Sequence, residues 1–199
     1  ALKDIDFVFH EAAEVGVGQS MYEISRYVEG NAMGTANLLD IIVNDEGIRK
    51  RLKKIIVASS MSIYGEGMYA CKKCGAVNPP SRAEENIKKS KWELNCLKCN
   101  TILSPIPTLE TKLQEAGSVY ALTKKFQEDI LMNVGKAYHI PSVALRYFNV
   151  LGPRQSLSNP YTGVAAIFMS RLKNNQPPLI FEDGNQKRDF VSVYDVVQA

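Results

Sequence analysis

Ile55-Ile56-Val57-Ala58-Ser59-Ser60 is the stretch on which the fold turns. Its apolar, β-branched run fits a strand buried on both faces, as in a parallel sheet. It ends in two hydroxyls, and ligands of open parallel sheets bind beyond the carboxyl ends of their strands. Before it, Ile5-Asp6-Phe7-Val8-Phe9, reaching His10, has the same doubly buried character, and after it so does Ser142-Val143-Ala144-Leu145. Between the first two strands lie a small-residue stretch, Ala12 to Gly18, and a helical pattern from about Met21 to Val43, with a bend expected near Gly30. Between the second and third, Val119 to Ala137 reads as a helix, with Leu122, Phe126, Ile130 and Val134 at helical spacing. A further helix is expected at Val164–Leu172, a short strand at Pro178–Phe181, and a helical start at Tyr194. Strands alternating with helices of crossover length predict an α/β fold, a doubly wound parallel sheet.

The alternation breaks once, over residues 66–107, a polar stretch without a long apolar run. All four cysteines fall inside it, as Cys71-Lys72-Lys73-Cys74 and Cys96-Leu97-Lys98-Cys99. Two residues between cysteines let both sulfurs reach one ion from a tight turn. Gly75 and Asn100 follow the pairs and tolerate the left-handed backbone such turns use. Four thiolates suit tetrahedral Zn²⁺ in a closed structural site, so a zinc-ribbon-like insertion is expected. Two disulfides, or four unrelated thiols, are the competing readings. Six lysines (72, 73, 88, 89, 91 and 98) make the insertion locally basic. A solvated face on a small metal-stapled lobe accounts for them more simply than a binding surface does.

With 45% apolar and 23% charged residues the chain can build a sizeable core. The net charge of +3 is small and dispersed, and makes no case for nucleic acid or an anionic membrane as partner. No apolar run approaches the roughly 20 residues that span a bilayer. The start carries no basic-then-apolar export pattern, so the expected location is cytoplasmic. The chain begins in a strand without a Met and stops at Ala199 inside a helical pattern, which reads as a piece of something longer.

Ser118-Val119-Tyr120-Ala121-Leu122-Thr123-Lys124 contains Tyr-x-x-x-Lys. On a helix these two positions share a face. An ammonium beside a phenol favours the phenolate and lowers its pKa, creating a base for an alcohol proton. Ser60, at its strand's carboxyl end, could hydrogen-bond the same alcohol. Taken singly, Tyr120 with Lys124 is a surface pair, and Ser60 a turn hydroxyl; together they make a candidate site.

The runs Val57–Gly65, Tyr120-x-x-x-Lys124, Leu145-Arg146-Tyr147-Phe148-Asn149-Val150-Leu151-Gly152-Pro153-Arg154 and Arg188-Asp189-Phe190-Val191, in this order, resemble the extended short-chain dehydrogenases/reductases that act on nucleotide sugars. The resemblance spans nearly the whole chain outside the insertion. Val15–Ile24, Gln155–Gly163 and the cysteine insertion after Gly65 are similar, more narrowly, to the dTDP-L-rhamnose 4-epimerase subgroup. The resemblance implies a partial Rossmann fold over residues 1–152, its first strands missing, interrupted by the insertion, with a substrate-binding region beginning over 153–199. It implies NAD as cofactor, a nucleotide sugar (dTDP-linked favoured) as substrate, and a homodimer for the complete protein.

Residue by residue, the resemblance makes Tyr120 the base, Lys124 its activator and a nicotinamide-ribose ligand, and Ser60 the partner of the sugar hydroxyl. His10, with Glu11, Ala12 and Ala13, matches a loop that passes the cofactor, and Asn31 an asparagine that supports that side. Asn149 matches a nucleotide-sugar ligand. Arg188 matches a diphosphate ligand, where a guanidinium fork suits phosphate oxygens. The family's Gly-rich diphosphate loop is absent and would lie before residue 1, so the chain by itself is expected to be inactive. The family's dehydratases carry an Asp-Glu acid pair where this chain has Met61 and Ser62. That favours a 4-epimerase over the alternative dehydratase. A reading of another class, a non-catalytic nucleotide sensor with a zinc-ribbon interaction module, is opposed by the intact Ser60, Tyr120 and Lys124.

Overall fold

The computed structural model describes residue 2, residues 4–156 and residues 163–199; most of the motif quoted at 155–163 lies outside them. In chain order the elements are β1 (Phe7–His10), α1 (Val17–Ser20), α2 (Ile24–Tyr27), a π-helical turn (Val28–Met33), α3 (Gly34–Asn44), α4 (Glu46–Arg51) and β2 (Lys54–Ser60). A 3₁₀ turn (Met61–Tyr64) leads to β3 (Met68–Cys71), β4 (Gly75–Val77), α5 (Glu84–Lys88), β5 (Ser104–Ile106), α6 (Val119–Tyr138) and β6 (Ser142–Tyr147). The last elements are β7 (Asn149–Leu151), α7 (Val164–Lys173), β8 (Phe190–Ser192) and α8 (Val193–Gln198). No helix among the described residues is long and apolar enough to cross a membrane.

Two compact units result. The first comprises residues 1–63, 116–148 and 195–199. Its sheet has the order β1-β2-β6 and is parallel throughout, Val8 pairing with Ile55 and Ser60 with Tyr147. This is the α/β, parallel-sheet class expected. Both crossovers step the same way across the sheet, and right-handed connections then bring their helices to one face. There α3 packs on α6. Leu39, Ile42, Ile48, Leu52, Ile55, Val57, Leu131 and Ile140 form the core between that layer and the sheet. Gly135 lets α6 pass close over the start of β6; a Cβ there would collide with Ser142.

Three expectations need correction. β1 is not buried on both faces: Phe7 and Phe9 are 50% and 66% exposed, because β1 is the outer strand of this sheet and their face is uncovered. The helix expected from Met21 to Val43 starts only at Ile24; the bend expected near Gly30 is a π turn through which the helix runs on without a gap into α3. Residues 178–181 form no strand, and Leu179, Ile180 and Phe181 are exposed. Pro177 and Pro178 remove two backbone donors at the point where a ladder would start.

The second unit comprises residues 64–115 and 149–194. A small antiparallel sheet, order β4-β3-β5, carries the cysteine segment, with a further bridge between Asn95 and Ile102. Its core is little more than Cys71, Cys96 and Leu103, with Tyr69, Val77 and Leu94 packed against them. Elsewhere in the unit β7 and β8 pair in parallel, Asn149 opposite Phe190.

Candidate functional site

The first unit brings Ser60, Tyr120 and Lys124 together at the carboxyl end of β2. Ser60 is the last residue of β2, and its Oγ accepts from the Ser62 backbone N–H at 3.1 Å. Tyr120 lies in the first turn of α6, whose N-cap Ser118 accepts from Ala121 N at 3.1 Å. The buried Ser20 hydroxyl accepts from Tyr120 N at 3.0 Å, serving a second N–H of the first turn. Tyr120's ring meets the buried Tyr27 edge-on, centroids 6.4 Å apart, and its phenol lies near enough to Ser60 for that side chain to act on its pKa. One turn on, Lys124 is buried, its Nζ donating to Ala58 O at 2.6 Å and Gln127 Oε1 at 3.0 Å.

The electrostatics differ from the simple pairing of ammonium and phenol. Burial raises the Tyr120 pKa, and the Ser60 side chain works the other way. Burial lowers Lys124 to about 8, against the pull of the Glu11 carboxylate. Lys124's ammonium is spent on a carbonyl and an amide oxygen, and desolvation is the larger force on both groups.

His10, Ala12, Ala13 and Asn31 lie in the same unit. Thr35 gives its one hydroxyl proton to Asn31 O at 2.6 Å, so it can only accept from Gln127 Nε2 at 2.8 Å and His10 Nε2 at 2.7 Å. That places a proton on His10 Nε2. Burial, with the Lys124 charge second, lowers the His10 pKa. Asn31 is fully buried in the π turn. Its Oδ1 accepts from Glu14 N at 2.7 Å, and its two amide hydrogens go to Glu14 O and Thr123 Oγ1. Asn31 thus shapes the 11–16 loop and has no amide hydrogen left for a ligand. Ala12 is exposed and Ala13 half-buried. A small-residue loop at a sheet's carboxyl edge, held from beneath by Asn31 with a buried lysine nearby, fits a nicotinamide dinucleotide laid along that edge.

Sequence reasoning missed Ser20, Thr35, Thr123, Gln127, Glu128 and Arg146. Glu128 is buried, accepting from Ser59 Oγ at 2.6 Å and from Arg146 Nη2 at 2.6 Å. A signal was present: from Tyr120, polar residues recur at helical spacing as Thr123, Lys124, Gln127 and Glu128. A polar stripe aimed at a sheet marks a site rather than a core.

In the second unit the four cysteine sulfurs lie within 4.8 Å of one another. β3 ends on Cys71, and Gly75 turns the chain with φ +79°. The second knuckle closes with Asn100 at φ +56°, its N–H on Cys96 O at 2.8 Å. Hydrogen bonds with the Thr101 side chain and backbone lower Cys99 to about 6, while contact first with Cys99, then burial, pushes Cys74 up to about 12. Four convergent sulfurs are a donor set that fits a tetrahedral metal ion.

Asn149 and Arg188 also lie in the second unit. Asn149 N and Nδ2 both donate to Asp189 O, at 3.2 and 3.1 Å. Arg188 is exposed in the loop before β8.

The chain matches the model of the NAD dependent epimerase/dehydratase family over residues 1–86 and 102–199. The unmatched residues 87–101 contain Cys96 and Cys99. It is 35% identical over 195 residues to a dTDP-L-rhamnose 4-epimerase of Burkholderia thailandensis, covering 98% of this chain and 51% of the relative. Among solved structures it is similar to a UDP-N-acetylglucosamine 4-epimerase from Methanobrevibacter ruminantium in complex with UDP-N-acetylmuramic acid (TM-score 0.73, 31% identity, 99% of this chain and 50% of the other). It is similar also to a UDP-glucuronic acid 4-epimerase from Bacillus cereus in complex with UDP-glucuronic acid and NAD (TM-score 0.65, 30% identity, 99% and 48%). The chain therefore spans about half the length of these relatives. With the Ser60–Tyr120–Lys124 cluster at the edge of a parallel sheet and a family match along most of its length, the chain belongs to the NAD-dependent epimerase/dehydratase family.

Proposed function

We propose that this chain carries the catalytic groups of a nucleotide-sugar 4-epimerase whose substrate is a dTDP-6-deoxyhexose such as dTDP-L-rhamnose. One observation carries the reading. Tyr120 meets Ser60 beside buried Lys124, while Met61 and Ser62, where a dehydratase's acid pair would stand, offer no carboxylate. Ser60 orients the C4 hydroxyl, and Tyr120 takes its proton. Lys124 keeps a positive charge close to the developing phenolate and to the ribose side. Bound NAD⁺ supplies the hydride acceptor and donor. Tyr120 later returns the proton after the 4-keto sugar has presented its other face. The Burkholderia relative supports the dTDP-sugar.

In the same reading, residues 1–152 are the dinucleotide-binding part, interrupted by a lobe over 66–107, and the substrate-binding part begins at 153. His10 and the 12–13 loop flank the cofactor, with Asn31 beneath the loop. Asn149 and Arg188 receive the nucleotide sugar, Arg188 at its diphosphate. Cys71, Cys74, Cys96 and Cys99 hold one structural Zn²⁺. Exposed Leu122 and Phe126 on α6 support a homodimer packed through that helix.

The test is the complete protein with dTDP-L-rhamnose and NAD⁺ in D₂O, followed by NMR. The C4 epimer should form without deuterium at C4 and without a 4-keto sugar accumulating. Tyr120→Phe should keep the fold and lose on the order of 10²-fold or more in turnover. Deuterium at C5, or loss of water at C6, would replace this reading with the dehydratase one.

A further inference from the structure

Arg188 is tied into its own loop. Its Nη1 donates to Lys187 O at 2.8 Å and its Nη2 to Gln186 Oε1 at 3.4 Å. The Gln186 side chain lies near enough to Glu182 to help hold its carboxyl below the usual range, after Arg82. Glu182 Oε2 accepts from Arg82 Nη1 at 2.8 Å, across 100 residues of chain. Arg82 and Glu182 side chains are 28% and 19% exposed, more covered than most ion pairs of this chain. The direction of the links follows from donor chemistry. A carboxylate only accepts, so Gln186 turns its amide NH₂ to Glu182 and its oxygen to Arg188. The flipped amide would set donor against donor at the guanidinium.

The loop from 183 to 188 therefore hangs between two anchors. At one end Arg82 holds Glu182, where the chain turns through φ +56° at Glu182 and +76° at Gly184. At the other, Asn149 holds Asp189 O and β7 pairs with β8. Arg82 lies between β4 and α5, on the arm that leaves the first cysteine knuckle.

We propose that Arg82 is a positioning residue: through Glu182 and Gln186 it holds the Arg188 guanidinium ready for an anionic diphosphate, which makes the cysteine-bearing segment part of substrate recognition. The proposal rests on the reading of Arg188 as a diphosphate ligand. Arg82 has two effects. It fixes the loop, and it satisfies Glu182, whose carboxylate would otherwise capture Arg188 and compete with phosphate oxygens for it. The expected signature is in binding and not in the proton and hydride steps, which belong to Ser60, Tyr120 and Lys124.

The test uses the complete protein, with dTDP as calorimetric probe beside steady-state kinetics on the nucleotide sugar. Arg82→Gln should raise the dTDP Kd and the sugar KM about two- to fivefold, the range of a partly exposed ion pair, with kcat unchanged. Arg82→Lys, which keeps the charge, should stay near wild type. Gln186→Leu, which cuts the link to Arg188 and leaves the Arg82–Glu182 pair in place, should raise the dTDP Kd to a similar extent with the thermal midpoint unchanged. If Arg188→Gln leaves dTDP binding untouched, the diphosphate reading fails and the proposal falls with it. If Arg188→Gln weakens binding while Arg82→Gln does not, the proposal alone is overturned. A Gln186→Leu protein that binds dTDP as the wild type does overturns it too, since Arg82 then serves only the fold.

Discussion

At Tyr120 and Lys124 burial and catalysis pull in opposite directions. Desolvation holds the phenol up and the ammonium down, to about 8 for Lys124 against its ordinary 10.5. The spacing of the two residues promised an activated tyrosine, and the chain's own groups do not deliver one, because Nζ is held on Ala58 O and Gln127. The lysine has a consequence for stability. Below pH 8 it is charged in both folded and unfolded chains, and its burial cost is carried in full. Between about 8 and 10.5 the folded state sheds the proton first, so the unfolded state binds more protons and stability rises with pH. Relative to Lys124→Met, the wild type should gain roughly 3 kcal/mol in urea denaturation between pH 7 and 10.5. Parallel pH profiles for the two proteins would show that Lys124 is not held in a desolvated site.

Helix α6 shows how one element serves both site and scaffold. Its inner face is Ala121, Thr123, Lys124, Gln127, Glu128, Leu131 and Gly135, more polar than apolar. The apolar row that marked the helix in the sequence begins with Leu122 and Phe126, which are 56% and 42% exposed. Glu128 pins the helix to the sheet by accepting from Ser59 on β2 and Arg146 on β6. Removing one member of such a buried pair strands the other. Glu128→Ala should therefore cost about 3 kcal/mol of stability, the lower end for a buried pair because Arg146 keeps some water. Glu128→Leu with Arg146→Met removes both charges and should cost clearly less. Equal losses in the single and the double variant would mean that the charges do not see each other.

On the scale of the molecule, the two units depend on different forces. The first has an apolar core beneath a parallel sheet. The cysteine lobe has a core of Cys71, Cys96, Leu103 and a few half-buried neighbours, too little to offset the ordering of its backbone. On the proposed zinc reading, metal binding is folding energy for the lobe. Protein purified without chelator should carry one zinc per chain. Cys96→Ser should abolish hydrogen-exchange protection from Met68 to Ile106 while leaving β2 and β6 protected. Metal-free protein with full protection across β3–β5 would show that the lobe needs no ion.

Local pattern sufficed for the strands at 54–60 and 142–147, for α6, for the paired cysteine knuckles and for the Tyr-x-x-x-Lys face, because each is set by residues a few positions apart. Helical spacing says that a helix has two faces; it does not say which one turns inward. That was decided by β2 and β6, whose Ala58, Ser59 and Arg146 offer partners to Lys124 and Glu128 and leave Leu122 and Phe126 outside. Strand propensity at Phe7, Phe9 and Ile180 likewise carries no information about whether a neighbour covers or pairs with them. The hydrogen-bond chains through Thr35, Asn31 and Glu182 join residues 17 to 100 positions apart. Only the tertiary structure closes such distances, since a buried donor or acceptor takes whichever partner the fold brings within about 3 Å.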